Sequence, residues 1–330
     1  MKGKTPLATP LGDTTIESSP YECIIVGGGP AGLSAALVLG RCRRRVLLCD
    51  NGQPRNAAAQ AVHGFFSRDG TPPAELRQIA RQQLCQYDTV ELAEATATDA
   101  WLEGGQFRVM LDQGRLVVGR KLLLATGVVD RLPNVEGIPQ FYGQTVFHCP
   151  YCDAWEFRDQ PMAVYGNGKS GVGLSITVSI WTKDLVLCTD GPPRITPRDR
   201  ARLETRGVVV RADRIVRLEG EDGRLQRIVF AQGEPLPRKV MFLHTDELQH
   251  CDLAGRLGCR RRPRRSRESD DSQRTNVPGL HLAGDTSRDV QFAVVAAAEG
   301  ARAAFAINKA LLAEELHRAG RRGHGPKTAE

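Results

Sequence analysis

The segment VFHCPYCDAWEF, Val146 to Phe157, sets Cys149 and Cys152 two residues apart, with His148 before the pair and Asp153 after it. A two-residue spacer lets both sulfurs reach disulfide distance on one turn, and a helix beginning at the pair lowers the thiolate pKa of the first cysteine. Such a pair supports thiol–disulfide exchange, in which each departing thiolate must be protonated or stabilised by a nearby acid. Zinc binding needs two more ligands at matching spacing, yet Cys188, Cys251 and Cys259 form no second Cys-x-x-Cys. Haem attachment requires His directly after the second cysteine, where Asp153 stands. On the residues alone, two idle reduced thiols stay open as the alternative.

Two glycine-rich segments then ask what the pair works with. In YECIIVGGGPAGLSAALVLGRCRRRVLLCD, Cys23–Val26 is a short apolar run, Ala31–Gly40 a small-residue helical stretch, and Val46–Cys49 a second apolar run. This order predicts strand, turn, helix, strand. Gly27, Gly29 and Gly32 fit the G-x-G-x-x-G spacing and Asp50 closes the second strand about 20 residues on. Gly27 permits the tight turn, Gly29 lets a pyrophosphate approach the backbone, Gly32 packs helix on strand, and Asp50 accepts from ribose hydroxyls. The pattern recurs in QPMAVYGNGKSGVGLSITVSIWTKDLVLCTDGP. There Met162–Tyr165 is the strand, Gly166, Gly168 and Gly171 the glycines, Val172–Trp181 the helix, and Asp184–Cys188 the next strand. Two such units predict two nucleotides, and the chemistry that sets two side by side is hydride transfer from a nicotinamide to a flavin.

Composition bounds the setting. The chain has 330 residues, 41% hydrophobic and 25% charged, enough for two globular domains, and no run of about 18 apolar residues to span a bilayer. Residues 1–20 are polar and proline-broken, and read as a flexible leader. Nine cysteines with only two closely paired do not make a secreted disulfide framework, so the expected compartment is a reducing cytoplasm. The net charge of +7 is concentrated in RCRRR (Arg41–Arg45) and RRRPRRSR (Arg260–Arg267), read as solvated turns. No aromatic residues alternate with those arginines to stack on bases, so nucleic acid is not an expected partner.

From about Tyr21 to about Glu315 the sequence resembles the low-molecular-weight thioredoxin reductases and their FAD- and NAD(P)-dependent disulfide oxidoreductase relatives. Besides the glycine units and the cysteine pair, the resemblance rests on LLLATGVVDRLPNVEG (Leu122–Gly137) and TNVPGLHLAGDTSRDVQFAVVAAAEGARAA (Thr275–Ala304). It implies an α/β fold of two Rossmann-type, three-layer nucleotide-binding domains, the second inserted in the first. A discontinuous FAD domain would occupy 21–136 and 260–315, a pyridine-nucleotide and disulfide domain 137–259, and a flexible tail 316–330. Cys152 would face the flavin, Cys149 attack the substrate disulfide and Asp153 handle protons, while His148 reads more simply as a packed or surface residue. Ala125, Thr126 and Gly127 would meet the cofactor where the chain leaves the FAD domain. Asp285, at a strand end, would bind flavin hydroxyls, and Gln291 and Phe292 would start a helix aimed at the pyrimidine edge. Asn56 would lie on a loop against the ring.

The resemblance further implies FAD and NAD(P)H as cofactors, a homodimer, and a thioredoxin-like protein or a small disulfide or dithiol as partner. Oxidation of a metabolite's dithiol by oxygen is the alternative direction, and a flavin-binding redox sensor the alternative class. One departure bears on the donor. Where NADPH-using relatives carry a basic cluster this chain reads LCTDGP. Asp190 at about 4 Å from a 2′-phosphate would cost on the order of 4 kcal/mol at an effective dielectric near 20, and less if solvated. The expectation is therefore no large preference for NADPH over NADH.

Overall fold

The computed structural model describes residues 20–260, 268–287 and 290–322; the leader before Pro20 and all of the second arginine run but Arg260 lie outside the described residues. The first unit opens with β1 (Tyr21–Val26), α1 (Pro30–Arg41), β2 (Val46–Cys49), α2 (Pro73–Leu84) and β3 (Val90–Ala93). The strands β4 (Ala97–Glu103), β5 (Gln106–Leu111) and β6 (Leu116–Leu124) follow as a meander. After β7 (Val128–Arg131) and α3 (Ile138–Phe141) come β8 (Val146–Phe147), α4 (Pro150–Asp153), β9 (Met162–Tyr165), α5 (Gly168–Val178), β10 (Leu185–Cys188), α6 (Pro197–Thr205) and β11 (Val209–Arg211). The chain continues through β12 (Ile215–Glu221), β13 (Arg224–Phe230), β14 (Leu236–Pro237), β15 (Val240–Leu243) and β16 (Asp246–Gln249). It closes with α7 (Leu253–Arg256), β17 (Leu280–Leu282) and α8 (Ala293–Arg322).

The first sheet has the order β3-β2-β1-β6-β5-β4, with β17 also on β6. On the edge away from β1, strand β6 serves two neighbours along its length: Leu116–Gly119 pair antiparallel with β5, and Leu122–Leu124 pair in parallel with β17. The sheet's central parallel strands β1 and β2 are buried on both faces, as the continuous apolar runs CIIV and VLLC require. Ile24, Leu47, Leu122 and Leu124 turn to one layer, built with Phe107, Val109 and Leu253. Cys23, Ile25, Leu48 and Leu123 turn to the other, built with α1 and α8. The second sheet, β11-β10-β9-β15-β8, is parallel and falls wholly between β6 and β17, which makes it an insertion into the first. The antiparallel β12-β13-β14 sheet covers one face of it and α5 with α6 the other. The antiparallel ribbon of β7 and β16 carries the chain between the two units.

Three expectations need correction. Leu253, Ala254 and Cys259 already sit in the core of the first sheet, so the chain is back in that unit before residue 260. Helix α8 runs on to Arg322, so 316–322 are helical rather than part of a loose tail. The RCRRR turn is not simply solvated: Arg44 is buried and bonds Glu22 and Glu315, each at 2.6 Å, and Asn308 at 2.7 Å. It therefore fastens α8 to the start of β1. Among the described residues no helix is long and apolar enough to cross a membrane.

Helices α1 and α8 approach so closely that a Cβ built on Gly300 would lie 1.9 Å from the Ala31 carbonyl oxygen, whereas one on Gly320 would meet nothing within 4 Å. Both glycines lie in α8, so intrinsic helix propensity favours alanine equally at each, by about 1 kcal/mol. Gly300→Ala is expected to destabilise by about 1–3 kcal/mol through overpacking, and Gly320→Ala to be neutral or stabilising. Urea unfolding of both variants measures the contrast; equal effects would show that the helix contact is looser than described.

Candidate active site

Two clefts meet in the first unit. One is lined by the first glycine turn, Asp50, Ala125, Thr126, Gly127 and Gly284, and the other by Asn56, His63, Gln291, Phe292 and, from the inserted unit, His148, Cys149, Cys152 and Asp153. Pro30, Arg55, Asp285 and Ala296 line both, so the two form one long groove that runs from the glycine turn to the cysteine pair. Its shape follows from the sheet: the groove lies past the carboxyl ends of β1, β2, β6 and β17, where turns leave the parallel strands.

The glycine turn fits an extended dinucleotide on its own evidence of space. Gly27 has φ +109° and a Cβ there would sit 2.2 Å from the Ala125 carbonyl oxygen; a Cβ on Gly32 would sit 1.9 Å from that of Gly27. Those two glycines are demanded by the protein's own packing. Gly29 is not: its φ is −78°, ordinary for any residue, and a Cβ there would meet nothing within 4 Å. Its missing side chain leaves room on the groove side, at the N-cap of α1, where no side chain caps the helix and the first amides face outward. Asp50 stands at the end of β2 with Oδ2 bonded to Arg77 at 2.7 Å and Arg81 at 3.3 Å. Gly127 donates its N–H to Thr286 Oγ1 at 2.9 Å, which ties the end of β6 to the turn after β17.

The junction of the clefts is held by Arg55, a residue the sequence reading passed over. Its guanidinium bonds both oxygens of Asp130, at 2.6 and 2.8 Å, and reaches Asp285 Oδ2 at 2.9 Å and Gln291 Oε1 at 2.5 Å. Burial alone would lower the Arg55 pKa, but Asp130 and Asp285 outweigh it and raise the value. Burial would likewise raise Asp130, yet Arg55, with His148 and Thr245, holds its carboxyl down at about 2. The expected flavin contacts Asp285 and Gln291 are thus brought together by an arginine. Phe292 stacks edge-on against Tyr151, with centroids 6.2 Å apart. Asn56 follows Arg55 and lines the groove beside Pro30.

Cys149 and Cys152 form a disulfide with Cα atoms 5.3 Å apart. Cys149 is the N-cap of the four-residue helix α4, with Pro150 at its first position and Asp153 at its end. The other described cysteines form no disulfide, and burial pushes the thiols of Cys49 and Cys188 up to about 12, which leaves those two inert. Burial also pushes Asp153 up to about 7, against His63, which favours the charged form, and with Glu156, which opposes it. An acid that holds its proton near neutrality beside a disulfide can protonate a leaving thiolate and take the proton back. His148 is packed, with Nδ1 2.8 Å from the Tyr142 hydroxyl, and burial lowers its pKa.

At the second glycine turn, Gly166 and Gly171 are pressed together, a Cβ on Gly171 falling 2.6 Å from the Gly166 carbonyl carbon. Gly168 has φ +59°. Asn167 caps α5: its Oδ1 accepts from Gly168 N and from Arg194 N, both at 2.8 Å, while its Nδ2 donates to the Thr189 and Pro192 carbonyls at 3.0 and 3.2 Å. The loop after β10 is thereby fastened to the start of α5. Asp190 is also committed, accepting from Ile215 N at 2.8 Å and from the Tyr165 hydroxyl at 3.2 Å.

Removing Arg55 leaves two acids facing each other without their cation, so Arg55→Met is expected to cost about 3–5 kcal/mol in urea unfolding, and Arg55→Lys less but still measurably because the two-oxygen fork is lost. Asp153 sets a pH dependence of the opposite kind. Its folded pKa lies above the ordinary value near 3.9, so the folded state binds more protons and loses stability as pH rises from about 4 to about 7. Asp153→Asn is therefore expected to stabilise by on the order of a few kcal/mol at pH 8 and by nothing at pH 4. Melting curves across that range decide it, and a gain independent of pH would contradict the assignment.

Comparison with known proteins agrees with this geometry. Residues 21–300 match the family model described as pyridine nucleotide-disulphide oxidoreductase. The chain is 30% identical to the "Probable thioredoxin reductase" of Arthroderma benhamiae, over 82% of this chain and 74% of that one. It is 27% identical to thioredoxin reductase aclD of Aspergillus oryzae over 89% and 98%. Among solved structures, HlmI superposes with a TM-score of 0.90 at 33% identity, covering 94% of this chain and 98% of that one. An oxidoreductase from Agrobacterium tumefaciens gives 0.84 at 32%, covering 89% and 99%. The chain belongs to the pyridine nucleotide-disulphide oxidoreductase family, as a flavoenzyme of its low-molecular-weight, thioredoxin reductase-like branch.

Proposed function

We propose that this enzyme exchanges electrons between FAD and the Cys149–Cys152 pair and then with a disulfide or dithiol outside the protein. The observation that carries the reading is the placement of that disulfide and of Asp153 on the wall of the groove that Asp285, Gln291 and Asn56 also line. The glycine turn with Gly29, Asp50, Ala125, Thr126 and Gly127 holds the adenosine and pyrophosphate half of FAD; Asn56, Asp285, Gln291 and Phe292 hold the ring half. When bound, the flavin supplies a store for two electrons. The chain's own residues supply the remainder: Cys152 is the sulfur toward the flavin, Cys149 the one that meets the partner, and Asp153 the proton carrier. NAD(P)H is the donor, held at Gly166, Gly168 and Gly171 after the inserted unit rotates on the β7–β16 ribbon.

A thioredoxin-like protein is the leading partner. Tyr151, between the cysteines, and Trp155 are 63% and 61% exposed, and aromatic side chains of that kind anchor protein contacts. The chain works as a homodimer, a reading supported by Phe305, Leu312 and Leu316, exposed on α8 at helical spacing. Cysteines that form no disulfide outside the Cys149–Cys152 pair, among the described residues, fit a reducing cytoplasm. A second reading, oxidation of a small dithiol with oxygen as acceptor, is favoured by one observation: Asn167 binds the loop after β10 to the start of α5 at the second glycine turn, over the ground a pyridine nucleotide's phosphates would take.

Stopped-flow reduction of the flavin by NADH and by NADPH separates the two. Bleaching with less than a hundredfold preference for NADPH is expected under the first reading, and bleaching by neither donor but by a dithiol under the second. The sulfur assignment has its own signature. Cys149→Ser is expected to give a long-wavelength charge-transfer band from the Cys152 thiolate beside oxidised flavin, and Cys152→Ser to give none. The band in Cys152→Ser alone would reverse the two roles, and full disulfide turnover in either variant would remove the chemistry from this pair.

A further inference from the structure

Breaking the Cys149–Cys152 bond with an external dithiol is balanced by protons. One substrate thiolate attacks a sulfur of the pair, the S–S electrons leave on the other sulfur, and that thiolate takes a proton; the second substrate thiolate then displaces the mixed disulfide, whose sulfur also leaves as a thiolate needing a proton. The products are one cyclic disulfide and two protein thiols. Asp153 can give the first proton, but it is only half-exposed in the groove and must be recharged before the second.

His63 is placed to do this. It lies in a hairpin closed by the bridge of Val62 to Thr71, and lines the groove with Cys149, Cys152 and Asp153. Its Nδ1 stands 3.6 Å from Asp69 Oδ1, an oxygen fixed by the N–H of Gly64 at 2.8 Å. Its Nε2 stands 3.6 Å from Glu156 Oε1, in the turn that follows α4. The side chain of His63 is 21% exposed and those of Glu156 and Asp69 are 39% and 67%, so the set runs from the groove out to solvent. The groups that face His63 are Asp69 from its own hairpin, Glu156 and Asp153. His148 also lines the groove but is tied to Tyr142, and Arg55 and Asp285 are occupied with each other.

We infer that His63 is a positioning residue that passes protons between solvent and Asp153, held in place by Asp69 and Glu156. Hairpin and Glu156 belong to different units, so the relay is assembled only while the disulfide stands at the groove. The inference rests on the reading of Cys149–Cys152 as the working disulfide.

The test follows anaerobic opening of the disulfide in the FAD-loaded protein by dithiothreitol, with acid quench, N-ethylmaleimide labelling and thiols counted by mass. His63→Gln is expected to slow opening about tenfold at pH 6 and hardly at all at pH 9, where a leaving thiolate needs no acid. A purely structural role would give the same ratio at both. Glu156→Gln, which leaves the hairpin untouched, is expected to show a smaller deficit with the same pH dependence. A flat ratio in both variants overturns the relay, as does the pH-dependent deficit appearing in His148→Gln instead. If dithiothreitol fails to open the pair in the unaltered protein, the disulfide reading itself falls and takes this inference with it.

Discussion

The largely buried guanidinium of Arg55, its side chain 13% exposed, is the interaction on which the rest of the site depends. Taking a cation and two carboxylates out of water costs several kcal/mol per charge, and the cost is met only by close geometry and saturated hydrogen bonding. Arg55 achieves this with a fork onto Asp130 and further bonds to Asp285 and Gln291. Arg55, in the loop after β2, thereby joins three separate places: the connecting ribbon, the turn after β17 and the approach to α8. One side chain therefore sets the ribbon that carries the inserted unit against both halves of the groove. Gln291 also bonds Glu247 across the ribbon at 2.8 Å, so the clasp closes on itself.

The groove that the clasp holds together carries the disulfide and Asp153 on its wall. Burial keeps Asp153 protonated near neutrality, while it silences the thiols of Cys49 and Cys188. The same burial thus quiets two single thiols and leaves a protonatable acid next to the disulfide. The contrast between the two glycine turns has a similar economy. In the first, Gly29 leaves the amides at the start of α1 without a side-chain cap; in the second, Asn167 spends its side chain on the corresponding amide and on the loop beyond β10.

Much of this was legible in the sequence because it is local. The strand-turn-helix units, the Cys-x-x-Cys pair and the apolar runs of buried parallel strands each carry their cause within about ten residues, and all of them fold as expected. The second helix nevertheless runs from Gly168 to Val178 rather than from Val172 to Trp181, beginning earlier because Asn167 supplies a cap at its start. What the sequence hid is what depends on distant partners. Arg55 meets residues 75 and 230 positions away, and nothing in GQPRNAAAQ marks it as more than a loop arginine. Arg44, in a run that reads as solvated charge, is buried by residues at the far end of α8. His63 was one lone histidine among seven, and only the hairpin carries it to the cysteine pair.

The central claim is that flavin and disulfide form one redox unit. Anaerobic titration of the FAD-loaded protein with dithionite, read by flavin absorbance and thiol count, tests it directly. Two electron pairs per flavin at full bleaching, one in the ring and one in Cys149 and Cys152, is the predicted result, and Cys149→Ser should need only one. A single pair in the unaltered protein, with the disulfide still closed after the ring is reduced, would contradict the account.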